Sequence, residues 1–259
     1  MCPQHLWTVV FDLLGSRARK SAHISSHIMM HPIFLTYEDN DNPMRTDLLA
    51  RLVDKTLSKQ ELLDRVKLDS NALSIAIEGL ASPKAAIRYG CAKVLMNLSA
   101  EDPEKLYPHM KVFIALLDSN YRILTWNVLV IIANLTRVDH DLKFDLIFDK
   151  YYSLLQNEYM VTVANVIGNS SIIALAKPYL IPKITDHLLT VKDLSLTSHL
   201  TEECKKVLVQ HTINSFDSFF TKIEAKERVI DFVKQHSTSS RKKLQTTARQ
   251  FLEKWNSSR

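Results

Sequence analysis

The clearest shortage in the sequence is glycine. There are four glycines in 259 residues, whereas average usage of about 7% would give roughly 18. Glycine supplies the positive-φ positions of tight turns and lets the backbone approach a phosphate closely. No two glycines are close enough for a G-x-G motif, so Rossmann and P-loop phosphate sites are excluded. Many-hairpin β folds are also disfavoured, because their two-residue turns want glycine.

Cysteines and long hydrophobic runs are scarce as well. Cys2, Cys91 and Cys204 are widely spaced and form no C-x-x-C pair, which argues against disulfides and structural zinc. The apolar stretch from Leu6 to Gly15 contains Asp12 and has no basic residue before it, unlike a signal peptide. No run approaches the roughly 18 apolar residues of a membrane span. We therefore expect a cytoplasmic protein without a membrane partner.

The net charge of +5 comes from the end of the sequence. Residues 1–235 contain 27 basic and 27 acidic side chains, and residues 236–259 contain six basic side chains against one acidic. A nucleic-acid binder usually spreads its basic residues along a face or groove, so a nucleic-acid partner is not expected. We predict that residues 236–259 form a basic C-terminal capping helix. Its candidate basic patch consists of Arg241, Lys242, Lys243 and Arg249.

Residues 1–43 differ from the rest of the chain. They contain four of the ten histidines and end in a polar run, Tyr37-Glu-Asp-Asn-Asp-Asn-Pro43, which is typical of a loop or linker. We expect an N-terminal extension that either packs poorly or is not part of the native chain, followed by a repeat domain over 44–259. His23, His27 and His31 are spaced i, i+4, i+8, but no acidic or Cys partner stands at ligand spacing. No metal site is predicted.

Beyond residue 44 the chain repeats. Leu80 to Leu98 align with Leu117 to Leu135 without gaps, so that Tyr89 falls on Trp126. Each unit has an apolar helix, a short polar break and a second helix. Further pairs are predicted over 144–155 and 158–168, 178–189 and 201–216, and 220–235 and 239–255, with a shorter capping pair at 45–53 and 59–66. Helix pairs that bury their apolar faces only against their neighbours indicate an α-solenoid.

The segment Ile87-Arg-Tyr-Gly-Cys-Ala-Lys-Val-Leu95 resembles the second helix of HEAT repeats, in which Val-Arg is followed by small residues at three-residue intervals and then Ala-Leu. Leu-Leu-Asp at 116–118, after Pro108, resembles the end of a first helix. The resemblance covers roughly residues 45–255 and extends to a small group of microbial HEAT-repeat proteins with no assigned activity. It implies an all-α, right-handed α-solenoid of about five to six HEAT-like (armadillo-type) helical hairpins. Leu124 stands where the second unit would have its arginine, so no regular Asp–Arg ladder is expected.

Second helices commonly line the concave face of such solenoids, so the side chains opposite their core stripe are the candidate partner-binding residues. At 100° per residue these are Tyr89, Lys93 and Asn97 in one unit and Trp126 and Asn134 in the next. Aromatic rings supply contact area, and Asn can bond an extended backbone. The alternative is structural packing, because the second of these helices is apolar nearly all round.

Asn165 and Asn169 form a polar i, i+4 pair in the following unit. They either continue the asparagine row from Asn97 and Asn134 or bond neighbouring loops, where a buried amide finds partners. Bonding to loops is the expectation.

Hydrolase motifs such as H-E-x-x-H and G-x-S-x-G do not occur. We predict a non-enzymatic, monomeric scaffold without catalytic residues, metal or cofactor, which presents a concave helical surface to a protein or peptide partner. The alternative is a nucleic-acid-binding protein that resembles the DNA-alkylation-repeat glycosylases, which use a HEAT-like solenoid to hold duplex DNA. That alternative requires basic residues along the concave face, whereas the sequence is neutral up to residue 235.

Overall fold

The computed structural model describes residues 43–256, and the structural statements below concern that part of the chain. The α-helices are α1 Pro43–Val53, α2 Lys59–Leu68, α3 Ser70–Glu78, α4 Ala85–Glu101, α5 Pro103–Leu106, α6 Met110–Ala115, α7 Arg122–Leu135, α8 Phe148–Ser153, α9 Met160–Ala176, α10 Ile181–Leu189, α11 Glu202–Phe219, α12 Lys226–Lys234 and α13 Lys242–Asn256. Short 3-10 turns occur at Gly79–Ala81, Tyr107–His109, Leu116–Asp118, Thr136–Val138, Asp145–Ile147, Leu154–Gln156, Pro178–Leu180, Thr190–Asp193 and Phe220–Lys222.

Strand-type pairing in this part of the chain is limited to an isolated bridge between Thr197 and Leu200. Within the same residues, no helix combines the length and the apolarity that a membrane crossing requires. The three histidines of the predicted extension, His23, His27 and His31, lie outside the described residues.

The long helices α4, α7, α9, α11 and α13 stack side by side in chain order and form one layer. Neighbours run in the same direction, because equivalent ends meet. Trp126 near the start of α7 bonds Thr162 near the start of α9, and Asn134 near the end of α7 bonds Ser99 near the end of α4. A shorter helix precedes each long one and completes a hairpin. The structure thus confirms the predicted α-solenoid.

The helix predicted over 158–168 is longer than expected. It runs as α9 from Met160 to Ala176, so Gly168 lies in its interior rather than at its end. Glycine costs about 1 kcal/mol inside a helix, but the apolar pattern continues beyond it to the fully buried Ile173 and Ala174. Burial of this second half of α9 outweighs the local cost.

The helix predicted over 220–235 is interrupted. A 3-10 turn, Phe220–Lys222, follows α11, and α12 begins only at Lys226. Phe220 and Ile223 are both buried, so the turn is held by its own apolar anchors. The last helix, α13, then packs against α11 and α12 through a buried stripe of Leu244, Ala248 and Phe251.

A buried ion network joins the segment after α7 to the end of α9. The Nζ atom of Lys177 lies 3.0 Å from Asp139 Oδ2 and 2.7 Å from Asp145 Oδ2. Asp139 also accepts the backbone N–H groups of Lys143 and Phe144. The side chains of Lys177 and Asp139 are 4% and 0% exposed, so the lysine charge is fully compensated inside the protein.

Candidate partner-binding surface

The long helices leave one stripe of side chains at the surface of their layer, which we call the second-helix face. Its members recur at three- and four-residue intervals, as one face of a helix does. They are Tyr89, Lys93, Met96 and Asn97 on α4, Arg122, Ile123, Trp126 and Asn127 on α7, and Ala164, Gly168, Ile172 and Leu175 on α9. The core residues of these helices lie on their other sides.

The three candidates on α4 lie on this face. Tyr89, Lys93 and Asn97 are all half-buried, and Tyr89 packs against the edge of the core. Lys93 forms no ion pair with any of residues 43–256. Partial burial lowers the pKa of Lys93, and the positive charge of Lys59 lowers it further. Among the described residues, the amine therefore has no ion-pair partner.

Trp126 is partly packed and partly exposed, so it does not decide between the two alternatives that the sequence left open. Its ring is half-buried, and its Nε1–H donates a hydrogen bond of 3.0 Å to the hydroxyl of Thr162. Thr162 is buried. The indole therefore joins α7 to α9 while part of its ring remains on the second-helix face.

Asn134 does not lie on the accessible surface. It is 6% exposed, and its amide donates a hydrogen bond of 2.9 Å to the hydroxyl of Ser99. Arg137 lies beside it and donates to the carbonyl oxygens of Ser99 and Ala100 at the end of α4. These bonds draw the ends of α4 and α7 together and cover Asn134. Its predicted role in partner binding is corrected to a role in packing.

Asn165 and Asn169 are also buried. Asn165 donates to the carbonyl of Val161 at 2.8 Å, just as Asn127 donates to Ile123 at 2.8 Å one long helix earlier. The prediction that Asn165 bonds a neighbouring loop is wrong, because its amide returns to its own helix. The asparagines do not form a row across the face.

Cations and aromatic rings meet where the long helices begin. The guanidinium of Arg88 lies 3.5 Å from the centre of the Tyr121 ring, and that of Arg122 lies 4.0 Å from the Tyr159 ring. The tyrosines directly precede α7 and α9, so the same contact recurs in successive repeats. Sequence reasoning missed this pattern, although the repeated Tyr-Arg and Tyr-Met helix starts carry a trace of it.

Arg88 is buried without a carboxylate. It is 4% exposed, and its Nη1 donates to the carbonyl oxygens of Ser82 at 2.6 Å and Pro83 at 3.2 Å. Its Nε has no hydrogen-bond partner among residues 43–256. This agrees with the expectation that the chain lacks a regular Asp–Arg ladder, and it leaves the arginine charge formally uncompensated.

Gly168 leaves open space in the middle of the face. Apart from the adjoining backbone of its own helix, a Cβ atom added there would meet nothing within 4 Å, whereas at Gly90 it would lie 2.8 Å from Leu52 Cδ2. Ala164 and Ile172 stand one turn before and after Gly168 on the same face. We call this open position the Gly168 notch. The helix α9 itself contains no Asp, Glu, Lys or Arg.

The basic residues near the C-terminus are partly used within the fold. Arg241 is half-buried and precedes α13, with its Nη1 3.9 Å from Glu203 Oε2. Arg249 donates to the carbonyl of Ser237 at 3.2 Å. Lys242 and Lys243 are exposed. Within residues 43–256, the two arginines of the candidate basic patch are engaged in the fold, and its two lysines form no ion pair.

The two cysteines among the described residues are free thiols. Cys91 is free but buried, and burial raises the pKa of its thiol to about 12. Cys204 is free and half-buried. Among residues 43–256, no three His, Cys, Asp or Glu side chains converge as a metal site requires.

Comparison with solved structures supports the fold. A designed armadillo repeat protein has 17% sequence identity and a TM-score of 0.52 over 84% of this chain and 95% of its own. A second designed armadillo repeat protein, in complex with the peptide (KR)4, has 16% identity and a TM-score of 0.56 over 83% and 94%. An engineered protein has 14% identity and a TM-score of 0.51 over 85% and 93%. No family model and no curated protein matches the chain. The chain therefore has an armadillo/HEAT-type α-solenoid fold.

Proposed function

We propose that this chain is a non-enzymatic scaffold that binds an extended segment of a protein partner on its second-helix face. The observation that carries the proposal is the combination, on one continuous surface, of half-exposed Tyr89 and Trp126, an unpaired Lys93 and the open notch at Gly168. Aromatic side chains concentrate binding energy when they line a pocket. A designed armadillo repeat protein of similar fold is in complex with the peptide (KR)4, which supports the proposal that a solenoid of this kind binds a peptide.

The charges on the face do not favour the DNA alternative. A protein that holds duplex DNA neutralises several phosphates along its contact surface. The cations of the second-helix face lie on α4 and α7, and the track is broken at α9, which contains no charged residue. The basic residues of α13 lie beyond this gap.

The proposal can be tested by filling the notch. Gly168→Trp places a large ring in open space, so the variant should fold normally while the ring blocks the Gly168 notch. Random short peptides displayed on phage are panned against the wild-type protein, and the affinity of each selected peptide is measured by fluorescence anisotropy. We expect Gly168→Trp to weaken binding by at least tenfold, about 1.4 kcal/mol, with no loss of melting temperature.

The matched control adds the same ring to the other layer. Lys111 is exposed on α6, so Lys111→Trp should leave peptide affinity unchanged. Trp126→Ala provides an independent measure, although it also removes the bond to Thr162. Peptides that bind both tryptophan variants as tightly as wild type would place the binding site elsewhere and contradict the proposal.

A further inference from the structure

The charges around the second-helix face identify the chemical class of its partner; this inference rests on the proposed function. Besides Arg65, four cations on α2, α4 and α7 form no ion pair with any of residues 43–256. They are Lys59, Arg88, Lys93 and Arg122. Three of them belong to the surface, and Arg88 lies just beneath Tyr121.

The carboxylates on the same helices are engaged elsewhere. Glu61 accepts the backbone N–H of Ser58 at the start of α2, in a capping box. Asp64 accepts from the amide of Gln60. Glu101 pairs with Lys67 at the far end of α4. The helix α7 contains no acidic residue. Within residues 43–256, the surface cations of this face therefore have no ion-pair partner.

This arrangement is unfavourable in the free protein and favourable in a complex. Lys93 loses part of its hydration on burial and feels the like charge of Lys59, and both effects lower its pKa. An incoming carboxylate would restore the lost interactions with charge-assisted hydrogen bonds. Cations left unpaired beside aromatic rings therefore favour an anionic ligand.

We propose that the partner segment is acidic: its Asp or Glu side chains meet Lys59, Lys93 and Arg122, and an apolar side chain of the same segment enters the Gly168 notch. The uncharged, small-residue surface of α9 suits an apolar side chain and offers nothing to a phosphate backbone. An extended acidic peptide fits both halves of the face, whereas a nucleic acid fits one.

The experiment compares the composition of peptides that two versions of the protein select. The same random peptide library is panned against the wild type and against the double charge reversal Lys59→Glu/Lys93→Glu. Wild type should enrich peptides with Asp or Glu next to an apolar residue. The double variant should bind those peptides at least about tenfold more weakly and should enrich peptides with Lys or Arg instead.

The matched control removes an acidic residue near the same edge. Glu158 is exposed and directly precedes Tyr159, so Glu158→Gln should bind the acidic peptides as tightly as wild type or more tightly. Circular dichroism and melting temperature establish that each variant is folded. Two further measurements on the wild type test the other possible occupants of the face. Binding of a single-stranded oligonucleotide tests for a nucleic acid, and sedimentation tests for a second copy of the chain.

The outcomes separate the two proposals. Selection of neutral or basic peptides that Gly168→Trp fails to bind would overturn the acidic preference and leave the proposed function standing. Failure of the wild type to enrich any peptide over Gly168→Trp would overturn both. Tighter binding of the oligonucleotide than of any acidic peptide, or self-association abolished by Lys59→Glu/Lys93→Glu, would also overturn the acidic preference.

Discussion

Lys93 and Lys177 are both at least half-buried, but the charges that surround them have opposite signs. Lys177 is enclosed at the end of α9, within hydrogen-bond distance of Asp139 and Asp145. Lys93 is half-buried on the second-helix face, where Lys59 is the charge that acts on it. Burial by itself acts to lower the pKa of both lysines, and for Lys93 the net shift is downward. For Lys177 the hydrogen bonds to Asp145, Tyr179 and Asp139 outweigh burial, so its pKa is raised.

This difference separates a lysine charge that stabilises the fold from one that has no partner in it. A buried ion pair that is fully satisfied ties elements of the fold together, and removing one partner leaves the other charged and buried. A cation with no internal partner adds nothing to the fold and remains available to a ligand. The segment after α7 is therefore a structural region, and the second-helix face is the region that we propose for a partner.

The largest expected effect on stability comes from removing the charge of Lys177 from its buried ion network. Lys177→Met leaves Asp139, whose side chain is 0% exposed, without its cation. Removal of one partner of a buried pair costs about 3–5 kcal/mol. We expect a loss of that size in the free energy of unfolding, measured by urea denaturation.

The control for this variant is an exposed pair. Lys150 and Asp118 are bonded across neighbouring repeats, and their side chains are 41% and 64% exposed. Lys150→Met should cost no more than about 1 kcal/mol. Equal losses in Lys150→Met and Lys177→Met would show that burial of the Lys177 network has no special weight.

The pH dependence of stability sharpens the same comparison. Burial raises the pKa of Asp139, but the N–H of Phe144, the ammonium of Lys177 and the hydroxyl of Tyr107 outweigh it and hold the pKa below its usual value. A lowered folded-state pKa contributes stability above the unfolded value of about 3.9, and this is lost as the pH falls through the folded value. We expect wild-type stability to fall below about pH 4.

Lys177→Met provides the internal check on that interpretation. Without the ammonium, protonation of Asp139 removes an uncompensated buried charge rather than a stabilising one. The difference in unfolding free energy between wild type and Lys177→Met should therefore shrink below about pH 4. A difference that stays constant from pH 7 to pH 3 would mean that Asp139 does not titrate with the network.

The sequence predicts one of these two regions better than the other. Tyr89, Lys93 and Asn97 were placed on the surface because helical periodicity alone decides which side chains oppose the core. Asn134 has the same periodicity, but its exposure depends on how closely α4 approaches, and the bond to Ser99 covers it. Periodicity within one helix carries no information about that distance.

Two further features could not be predicted from the sequence, because both depend on tertiary contacts. The helix predicted over 158–168 stops at Gly168, whereas α9 continues to Ala176 because its second half is buried against other helices. The Lys177 network joins residues from different repeats, and Asp139 stands in an irregular segment. No short-range sequence pattern predicts such a pairing. The helical repeat, in contrast, is visible in short segments of sequence and was sufficient to predict the solenoid.

A smaller effect on stability is expected from alanine substitutions at Gly90 and Gly168. The first glycine is closely packed, and the second lies in open space. At Gly90 an added Cβ would lie 2.8 Å from Leu52 Cδ2, and at Gly168 it would meet open space. Both glycines are inside helices. Gly168→Ala should therefore stabilise the protein by roughly 0.5–1 kcal/mol through helix propensity. In Gly90→Ala the same gain is opposed by overpacking, which costs about 1–3 kcal/mol.

Chemical denaturation of the two alanine variants measures this difference directly. The expected order of stability is Gly168→Ala, wild type, Gly90→Ala. If Gly168→Ala is destabilised as much as Gly90→Ala, the notch is not open and the surface proposed for the apolar side chain does not exist.

The smallest expected effect on stability lies at Lys93, and its smallness is the informative result. Lys93→Met keeps most of the side-chain length and removes a charge that is partly desolvated and lies near Lys59. Because no ion pair is lost, the free energy of unfolding should change by no more than about 0.5 kcal/mol. The same substitution at Lys177 should cost several times more, since there two carboxylates lose their cation. A loss at Lys93 comparable with that at Lys177 would mean that the Lys93 amine already has a partner within the folded chain. In that case Lys93 would serve the fold, and an acidic segment would have to compete for it rather than complete it.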